Sequence, residues 1–154
     1  VVPQSKKQNQ PPNAWLTFCP LPVKEDGIVM EDPLALIIED SYGLAVLFEH
    51  ALQAAAYRTE KIGDGQEASN RLREIVPDIV LLDLHLPSLS GGEILRQIRD
   101  DGRLANTKVF LASANGTYAS HLAPEADIVL NKPISILQLR DLARRFNRHN
   151  TTYH

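Results

Sequence analysis

The chain has 154 residues, which is room for one domain of ordinary size. Apolar residues make up 44% and charged residues 23% of it, as in an average globular chain, which argues against disorder throughout the chain. The 16 Lys and Arg residues and 19 Asp and Glu residues give a net charge of -3. This balance argues against direct nucleic-acid binding, because dedicated nucleic-acid binders carry a basic excess.

The apolar segments and the single cysteine exclude further classes of protein. Leu34–Ile38 is typical of the longest apolar runs, and such runs are far too short to cross a bilayer. No charged-then-apolar leader opens the chain, so we expect a cytoplasmic protein with no membrane partner. Cys19 stands alone, which excludes an internal disulfide and any zinc site built from several cysteines.

Residues 1–33 differ in composition from the rest of the chain. They mix Gln, Asn and Lys with much of the proline, and their apolar residues follow no period. Such a segment buries too little apolar surface to order itself, so we predict an extended N-terminal tail. Within it, Trp15, Leu16 and Phe18 form a small apolar cluster, which a loop explains more simply than a partner-binding motif. We predict one domain over 34–149, followed by a short tail over 150–154.

Short apolar runs alternate with amphipathic stretches from Leu34 onward. The runs predict five strands, Leu34–Ile38, Tyr57–Ile62, Ile79–Leu82, Lys108–Ala112 and Ile128–Leu130. The first, third and fourth are rich in Ile, Val, Leu or Phe, which is typical of strands that are buried on both faces.

Apolar residues at steps of three and four predict helices between and after these strands. The helical faces are Leu44, Leu47, Ala51 and Ala55; Ala68, Leu72 and Ile75; Ile94, Leu95 and Ile98; and Ile136, Leu139, Ala143 and Phe146. Ser41 and Ser90 are predicted N-caps, and the last helix is predicted to begin at Ser135. Glu93 completes a capping box with the second of them, and Pro77 stops the second helix. The alternation predicts an α/β fold, a doubly wound, five-stranded parallel sheet with helices on both faces.

Polar residues follow four of the predicted strands. They are Glu39 and Asp40 after the first, Asp83 after the third, Ser113 after the fourth, and Lys132 with Pro133 after the fifth. Functional sites of parallel sheets lie beyond the carboxyl ends of the strands, so we expect these residues to converge. Each alone has a simpler explanation, since an acidic pair often caps a helix and a loop serine is usually a turn residue.

Asp83 is the hardest of these residues to explain by structure alone. It follows the apolar run Ile79–Leu82 and precedes Leu84, so a buried strand ends on a charge that is costly without partners. Clustered carboxylates repel one another, and a divalent cation relieves the repulsion. Oxygen ligands with few protein contacts suit Mg²⁺, which keeps several waters, and Lys132 would balance the remaining charge.

Five motifs together resemble the receiver domain of two-component response regulators. They are IIED at 37–40, VLLDLHLP at 80–87, SGGE at 90–93, LASA at 111–114 and NKP at 131–133. The resemblance covers about 34–149, in the family's order and nearly its spacing, and the five motifs are specific only in combination. It implies a flavodoxin-like (βα)5 fold with strand order 2-1-3-4-5.

The resemblance also implies the chemistry of the acidic residues. Asp83 would be the phosphoacceptor, receiving a phosphoryl group from a histidine kinase or a phosphotransfer protein. Asp40, Asp83 and the backbone carbonyl of His85 would ligate Mg²⁺, and Glu39 would hold a metal-bound water. Phosphoryl transfer needs positioning and neutralisation of the phosphoryl oxygens, which a metal ion helps to provide.

Two further site residues follow from the same resemblance. Ser113 would hydrogen-bond one phosphoryl oxygen, and Lys132 would pair with another, with a cis peptide bond between Lys132 and Pro133. The chain would then be a phosphorylation switch that changes contacts with an unidentified output protein, and not a turnover enzyme, although slow self-dephosphorylation is compatible with it. It would be either a stand-alone receiver or a piece of a larger regulator or hybrid kinase.

The sequence departs from the family at the residues that transmit the signal. Receivers usually carry Tyr or Phe three residues before the lysine, where this chain has Val129, which has no ring to swing inward. Fewer residues than usual separate Ser113 from Lys132, so we predict a short fourth helix, over about Thr117–Leu122. The resemblance therefore does not extend to the usual route of output, in which the hydroxyl residue after the fourth strand is coupled to an aromatic ring on the fifth.

Two positions beside the phosphoacceptor carry weaker predictions. The imidazole of His85 could influence hydrolysis of the acyl phosphate, but a side chain at the rim of the site, of which only the backbone matters, is the favoured interpretation. Asn115 flanks the site from the other side and is a candidate for positioning the hydrolytic water.

Three other functions compete with the phosphorylation switch. A pseudo-receiver that is never phosphorylated is left open by Val129, although intact Asp40, Asp83, Ser113 and Lys132 argue against it. A phosphatase of the haloacid dehalogenase type needs a second Asp two residues after the nucleophile, where His85 stands. A nucleotide-binding flavodoxin-like protein is disfavoured, because no Gly-rich phosphate loop follows the first strand.

Overall fold

Strands and α-helices alternate along the chain in a computed structural model that describes residues 31–150. The strands are β1 (Leu34–Ile38), β2 (Arg58–Ile62), β3 (Ile79–Asp83), β4 (Lys108–Ser113) and β5 (Ile128–Asn131). The α-helices are α1 (Tyr42–Ala54), α2 (Gly65–Leu72), α3 (Gly91–Asp100), α4 (Gly116–Leu122) and α5 (Ile136–Phe146). Short 3₁₀ helices cover Gly102–Leu104, Ala123–Glu125 and Arg148–Asn150.

The tails lie almost wholly outside the described residues. This applies to the predicted N-terminal tail over 1–33, with its cluster Trp15, Leu16 and Phe18, and to the tail over 150–154. The predicted domain limits of 34–149 therefore stay a prediction. Within residues 31–150, no helix is long and apolar enough to span a bilayer.

The five strands form one parallel sheet in the order β2-β1-β3-β4-β5, which confirms the predicted fold class and strand order. In the centre of the sheet, Ile37 of β1 lies opposite Leu81 of β3, and Leu81 lies opposite Phe110 of β4. All three side chains are almost fully buried. Central strands of a parallel sheet are covered on both faces, which is why they read as nearly continuous apolar runs.

Successive residues of a strand supply the two faces of the sheet with separate cores. In β1, Ala35 and Ile37 pack with α1 and α5, whereas Leu36 and Ile38 pack with α2 and α3. This alternation follows from the two-residue period of a strand. Each face of the sheet is therefore covered by its own apolar core, and the loops at the carboxyl ends of the strands connect to helices that these cores hold in place.

Several element boundaries differ from those predicted by the apolar runs. Asp83 and Ser113 are the last residues of β3 and β4, because their backbones still pair with the neighbouring strands. Tyr57 precedes β2, and its hydroxyl donates to the Ala143 carbonyl at 3.0 Å. Helix α2 ends at Leu72, before Ile75, and the Arg103 guanidinium donates to the Leu72 carbonyl at 3.1 Å. A distant side chain thus takes up a carbonyl that a further helical turn would have used.

The buried face of α1 also differs from the predicted one. Leu47, which was placed on it, is 48% exposed, whereas Phe48 is 2% exposed and packs under the sheet. Ala51 and Ala55 of the predicted face are buried, so the buried face of α1 is shifted toward Phe48 and not replaced.

Of the two predicted helix caps, the one at Ser90 is confirmed. Ser90 and Glu93 form a capping box at α3, and the Ser135 hydroxyl accepts from the Gln138 N–H at 3.3 Å. Ser41 occupies the N-cap position of α1, but its side chain makes no cap bond there. The N-cap of α2, Asp64, was not predicted.

Candidate functional site

The carboxyl ends of β1 and β3 bring three carboxylates together. Glu39, Asp40 and Asp83 each place an oxygen within 4.8 Å of the others, and we call this group the acidic cluster. Glu39 and Asp83 are each only 4% exposed, whereas Asp40 is exposed. Because β1 and β3 are neighbours in the sheet, residues far apart in sequence meet at one edge, as expected.

Lys132 supplies the positive charge of the site. Its ammonium donates to Glu39 Oε2 at 2.7 Å and lies 3.2 Å from Asp83 Oδ2. The backbone N–H of Lys132 donates to the Ser113 carbonyl at 2.9 Å. This bond holds the start of the β5–α5 loop against the end of β4. The Lys132–Pro133 peptide bond is cis, as the resemblance implied.

Burial and charge act on the two partners of this ion pair. Burial raises the pKa of Glu39, and the Asp83 charge adds to this, so the pKa is raised although the Lys132 hydrogen bond lowers it. Burial lowers the pKa of Lys132, but bonds and charges from Glu39 and Asp83 outweigh it and leave that pKa raised. The lysine is therefore a firmly held cation.

The residues present fit a divalent cation. Their three carboxylates against one ammonium leave an excess of negative charge, and all the available ligand atoms are oxygens. Mg²⁺ prefers such hard ligands and keeps several of its waters, for which the exposed Asp40 side leaves room. A neutral or cationic site would have contradicted the prediction of Mg²⁺.

The loop from β3 to α3 begins directly at Asp83. The His85 N–H donates to Asp83 Oδ1 at 3.1 Å, which orients that carboxylate. At the far end, the Gly91 N–H donates to the Leu84 carbonyl at 3.2 Å. A Cβ at Gly91 would lie 2.3 Å from the Asp83 carbonyl oxygen, so only glycine permits this approach. No role was predicted for Gly91, although it lies in the SGGE motif.

Ser113 ends β4 and is 1% exposed. Its hydroxyl donates to the Asn115 carbonyl at 3.0 Å and accepts from the Asn115 N–H at 2.9 Å. The Asn115 side chain accepts from the Tyr118 N–H at 3.2 Å and so caps α4. The predicted role of Asn115 in positioning water stays a prediction.

The segment that follows bears on how the site could be coupled to the surface. Helix α4 is short, as predicted, and begins at Gly116. Val129 is half-buried and contributes to the wall of an open groove of about 760 Å³ between α4 and β5. A side chain with a ring would occupy part of this space.

An aromatic contact that the sequence did not indicate lies next to the acidic cluster. The exposed imidazole of His85 stacks on the ring of Tyr118, with centroids 6.2 Å apart and planes at 30°. A Cβ at Gly92 would lie 3.0 Å from the Tyr118 hydroxyl, so glycine leaves room for the ring. No local pattern links His85 to Tyr118, because their meeting depends on how α4 packs.

Comparisons with known proteins agree with the fold and identify the family. The family described as "Response regulator receiver domain" matches residues 35–144. The phosphate regulon transcriptional regulatory protein PhoB of Rhizobium meliloti is 33% identical over 110 residues, which are 70% of this chain and 48% of PhoB. The polar-differentiation response regulator DivK of Brucella anthropi is 31% identical over 104 residues, which are 66% of this chain and 85% of DivK.

A solved structure shows the same similarity. The response regulator TrrA of Thermotoga maritima, in complex with Mg²⁺-BeF, has 25% sequence identity and a TM-score of 0.66. The match covers 74% of this chain and 98% of that one. The chain spans about half the length of some of the curated relatives, 48% of PhoB for example. From its sequence, its parallel sheet and its strand-end residues, the chain belongs to the response regulator receiver domains of two-component systems.

Proposed function

We propose that this chain is a phosphoacceptor and that Asp83 receives the phosphoryl group. The observation that carries this proposal is the position of Asp83, a buried carboxylate at the end of β3, inside the acidic cluster and 3.2 Å from Lys132. A buried carboxylate within reach of both a cation and two further carboxylates is costly unless the site binds an additional positive charge.

The donor in this proposal is the phosphohistidine of a histidine kinase or of a phosphotransfer protein. An Asp83 carboxylate oxygen attacks phosphorus, a new O–P bond forms as the N–P bond breaks, and the imidazole leaves with the electron pair. The product is an acyl phosphate on Asp83. In-line attack requires the carboxylate to be held still, and its bonds to His85 N–H and Lys132 do this.

Each neighbouring residue has a proposed task. Asp40, Asp83 and the His85 carbonyl would hold Mg²⁺, and Glu39 would hold it through a water. When bound, the ion neutralises negative charge on the phosphoryl oxygens. Lys132 shifts from Glu39 toward an oxygen of the phosphoryl group. The shift is short, because the Lys132 ammonium already contacts Asp83, which carries that group.

Ser113 connects the phosphoryl group to the surface in this proposal. Its hydroxyl donates to the Asn115 carbonyl, so it must break that bond before it can donate to a phosphoryl oxygen. The same turn holds the Asn115 side chain that caps α4. A helix of seven residues has little stability of its own, so loss of its cap displaces it readily.

The proposed output is therefore a change over residues 113–124 that alters contacts with another protein. Val129 has no ring to move, so the signal leaves the site through the β4–α4 loop. We propose a cytoplasmic switch that contacts neither nucleic acid nor membrane directly and that is not a turnover enzyme.

Intact-mass measurement tests the proposal. The chain is incubated with acetyl phosphate and Mg²⁺, and we expect a gain of one phosphoryl group that is lost in Asp83→Asn. Asp100→Asn, at an exposed carboxylate at the end of α3, is the control and should still be phosphorylated. The same gain in Asp83→Asn would refute the assignment, and no gain in the wild-type chain would favour the pseudo-receiver.

A further inference from the structure

A contact outside the acidic cluster joins two loops at the same edge of the sheet. The Ser88 hydroxyl, in the β3–α3 loop, donates to Asp64 Oδ2 at 2.5 Å. The other oxygen of Asp64 accepts from the N–H groups of Gln66 at 2.9 Å and Glu67 at 3.0 Å, at the start of α2. One carboxylate therefore ties the middle of the β3–α3 loop to a helix that the core holds in place.

The backbone conformation of Ser88 indicates that the serine side chain, and not only the shape of the turn, matters at this position. Its φ is 68°, in the left-handed region that glycine adopts without strain and serine rarely does. Glycine would meet the conformational need of the turn but has no hydroxyl. Serine is less favourable than glycine in this backbone conformation, but its hydroxyl makes a charge-assisted hydrogen bond to Asp64, which is stronger than a neutral one.

The two backbones also touch beside this side-chain bond. The Gly65 N–H donates to the Pro87 carbonyl at 3.1 Å. A Cβ at Gly65 would lie 2.0 Å from the Leu89 carbonyl oxygen, so glycine is required for the contact. The β3–α3 loop is thus held in its middle by α2 and at its end by the bond from Gly91 to Leu84.

We infer that Asp64 and Ser88 are positioning residues for the metal site, because their contact holds the loop that carries the His85 carbonyl. This inference rests on the proposed function, in which that carbonyl is a Mg²⁺ ligand. A backbone ligand has no side-chain torsions to adjust, so its placement depends on the loop alone. Partners behind a metal ligand typically change metal affinity by about 10-fold or more when they are removed.

Four variants of the full chain test the inference by calorimetric titration with Mg²⁺. Ser88→Gly removes the hydroxyl and the backbone strain together, and Asp64→Ser keeps a helix-capping oxygen but is too short to reach Ser88. We expect each to weaken Mg²⁺ binding about 10-fold. Ser88→Asn, which tolerates a positive φ and can donate to Asp64, should restore the affinity. Asp101→Ser, at the N-cap of the 3₁₀ helix after α3, is the matched control and should bind as the wild type does.

Two readouts on metal-free protein separate positioning from stability. Ser88→Gly should unfold at nearly the same temperature as the wild type, because the relief of backbone strain offsets the loss of the hydrogen bond to Asp64. The Gly65 amide should exchange its hydrogen faster in that variant, because its acceptor Pro87 is no longer held. Wild-type affinity in both Ser88→Gly and Asp64→Ser, or no recovery in Ser88→Asn, would overturn this inference alone. No Mg²⁺ binding to the wild-type chain would overturn the proposed function and the inference with it.

Discussion

The Lys132 ammonium lies 2.7 Å from Glu39 Oε2. This contact joins the residue after β5 to the residue after β1, which are 93 positions apart in the sequence. The same ammonium is 3.2 Å from Asp83, so one cation serves both buried carboxylates. Any positive charge that enters the acidic cluster must share these carboxylates with Lys132. This competition makes opposite predictions for metal binding and for phosphorylation.

Lys132→Met should strengthen Mg²⁺ binding several-fold, because it removes a cation that repels the metal ion and occupies its ligands. The same substitution should slow phosphorylation by acetyl phosphate about 100-fold, because no ammonium is left to stabilise the phosphoryl oxygens. Calorimetric titration and intact-mass time courses measure the two effects. If Mg²⁺ affinity and phosphorylation fell together, the lysine would be holding the carboxylates in place and not competing with the ion.

Asp40→Ala should weaken Mg²⁺ binding by at least about 10-fold, whereas Glu39→Ala should weaken it less, because Asp40 is the proposed direct ligand. In EDTA, the same Asp40→Ala variant should unfold at a higher temperature than the wild type, since one of three mutually repelling carboxylates is gone. Asp100→Ala serves as the control for both measurements. Unchanged Mg²⁺ affinity in Asp40→Ala would remove that residue from the metal site.

Hydrogen exchange with and without beryllofluoride should differ chiefly in residues 113–124. Ser113 must release the Asn115 carbonyl to bind the phosphate mimic, and this change in the turn moves the residue whose side chain caps α4. Strand β5 and helix α5 should exchange nearly alike in the two states. A change confined to α5, with 113–124 unaltered, would contradict this route of output.

Gly91→Ala should destabilise the domain by about 1–3 kcal/mol, because the added Cβ would lie 2.3 Å from the Asp83 carbonyl oxygen and must displace backbone. Gly43→Ala is the matched control, since Gly43 also lies in the first turn of a helix and its added Cβ would meet nothing within 4 Å among residues 31–150. That control should be stabilised by about 0.5–1 kcal/mol. Urea unfolding of both variants makes the comparison, and equal effects would show that the close approach at Gly91 is relieved without strain.

Asp127 provides a test of stability against pH away from the site. Its Oδ2 accepts from the Val109 N–H at 2.8 Å and from the Arg99 guanidinium at 2.8 Å. Burial raises the pKa of Asp127, but these bonds and the charges of Lys108 and Arg99 outweigh it, so the pKa is lowered from its ordinary value of 3.8.

Asp127→Ala should therefore destabilise the domain by about 1–2 kcal/mol near neutral pH. A depressed folded-state pKa stabilises the protein fully above the unfolded-state value, and this contribution is lost as the pH falls through the folded-state pKa. The difference between wild type and variant should accordingly shrink below pH 3.8. Asp141→Ala, at an exposed surface pair with Arg140, should change stability by less than about 0.5 kcal/mol at any pH. A difference for Asp127→Ala that did not depend on pH would exclude its charge as the cause.

The local patterns in the sequence were sufficient to predict most elements of the fold. The apolar run of β3 reads as a buried strand because both faces of a central parallel strand are covered. Ser90 and Glu93 predict the start of α3 because a capping box is closed within one turn. Asp83 was identifiable as a site residue because a charge at the end of a buried strand requires partners.

The tertiary structure alone decided which distant groups meet. Lys132 reaches Glu39 across the sheet, Ser88 reaches Asp64 between two loops, and Tyr118 stacks on His85. It also decided that Phe48 and not Leu47 faces the core. Strand and helix periods report which residues share a face, since they depend on neighbours along the chain. Contacts between elements depend on helix rotation, loop path and strand order, which are set by packing the whole domain at once.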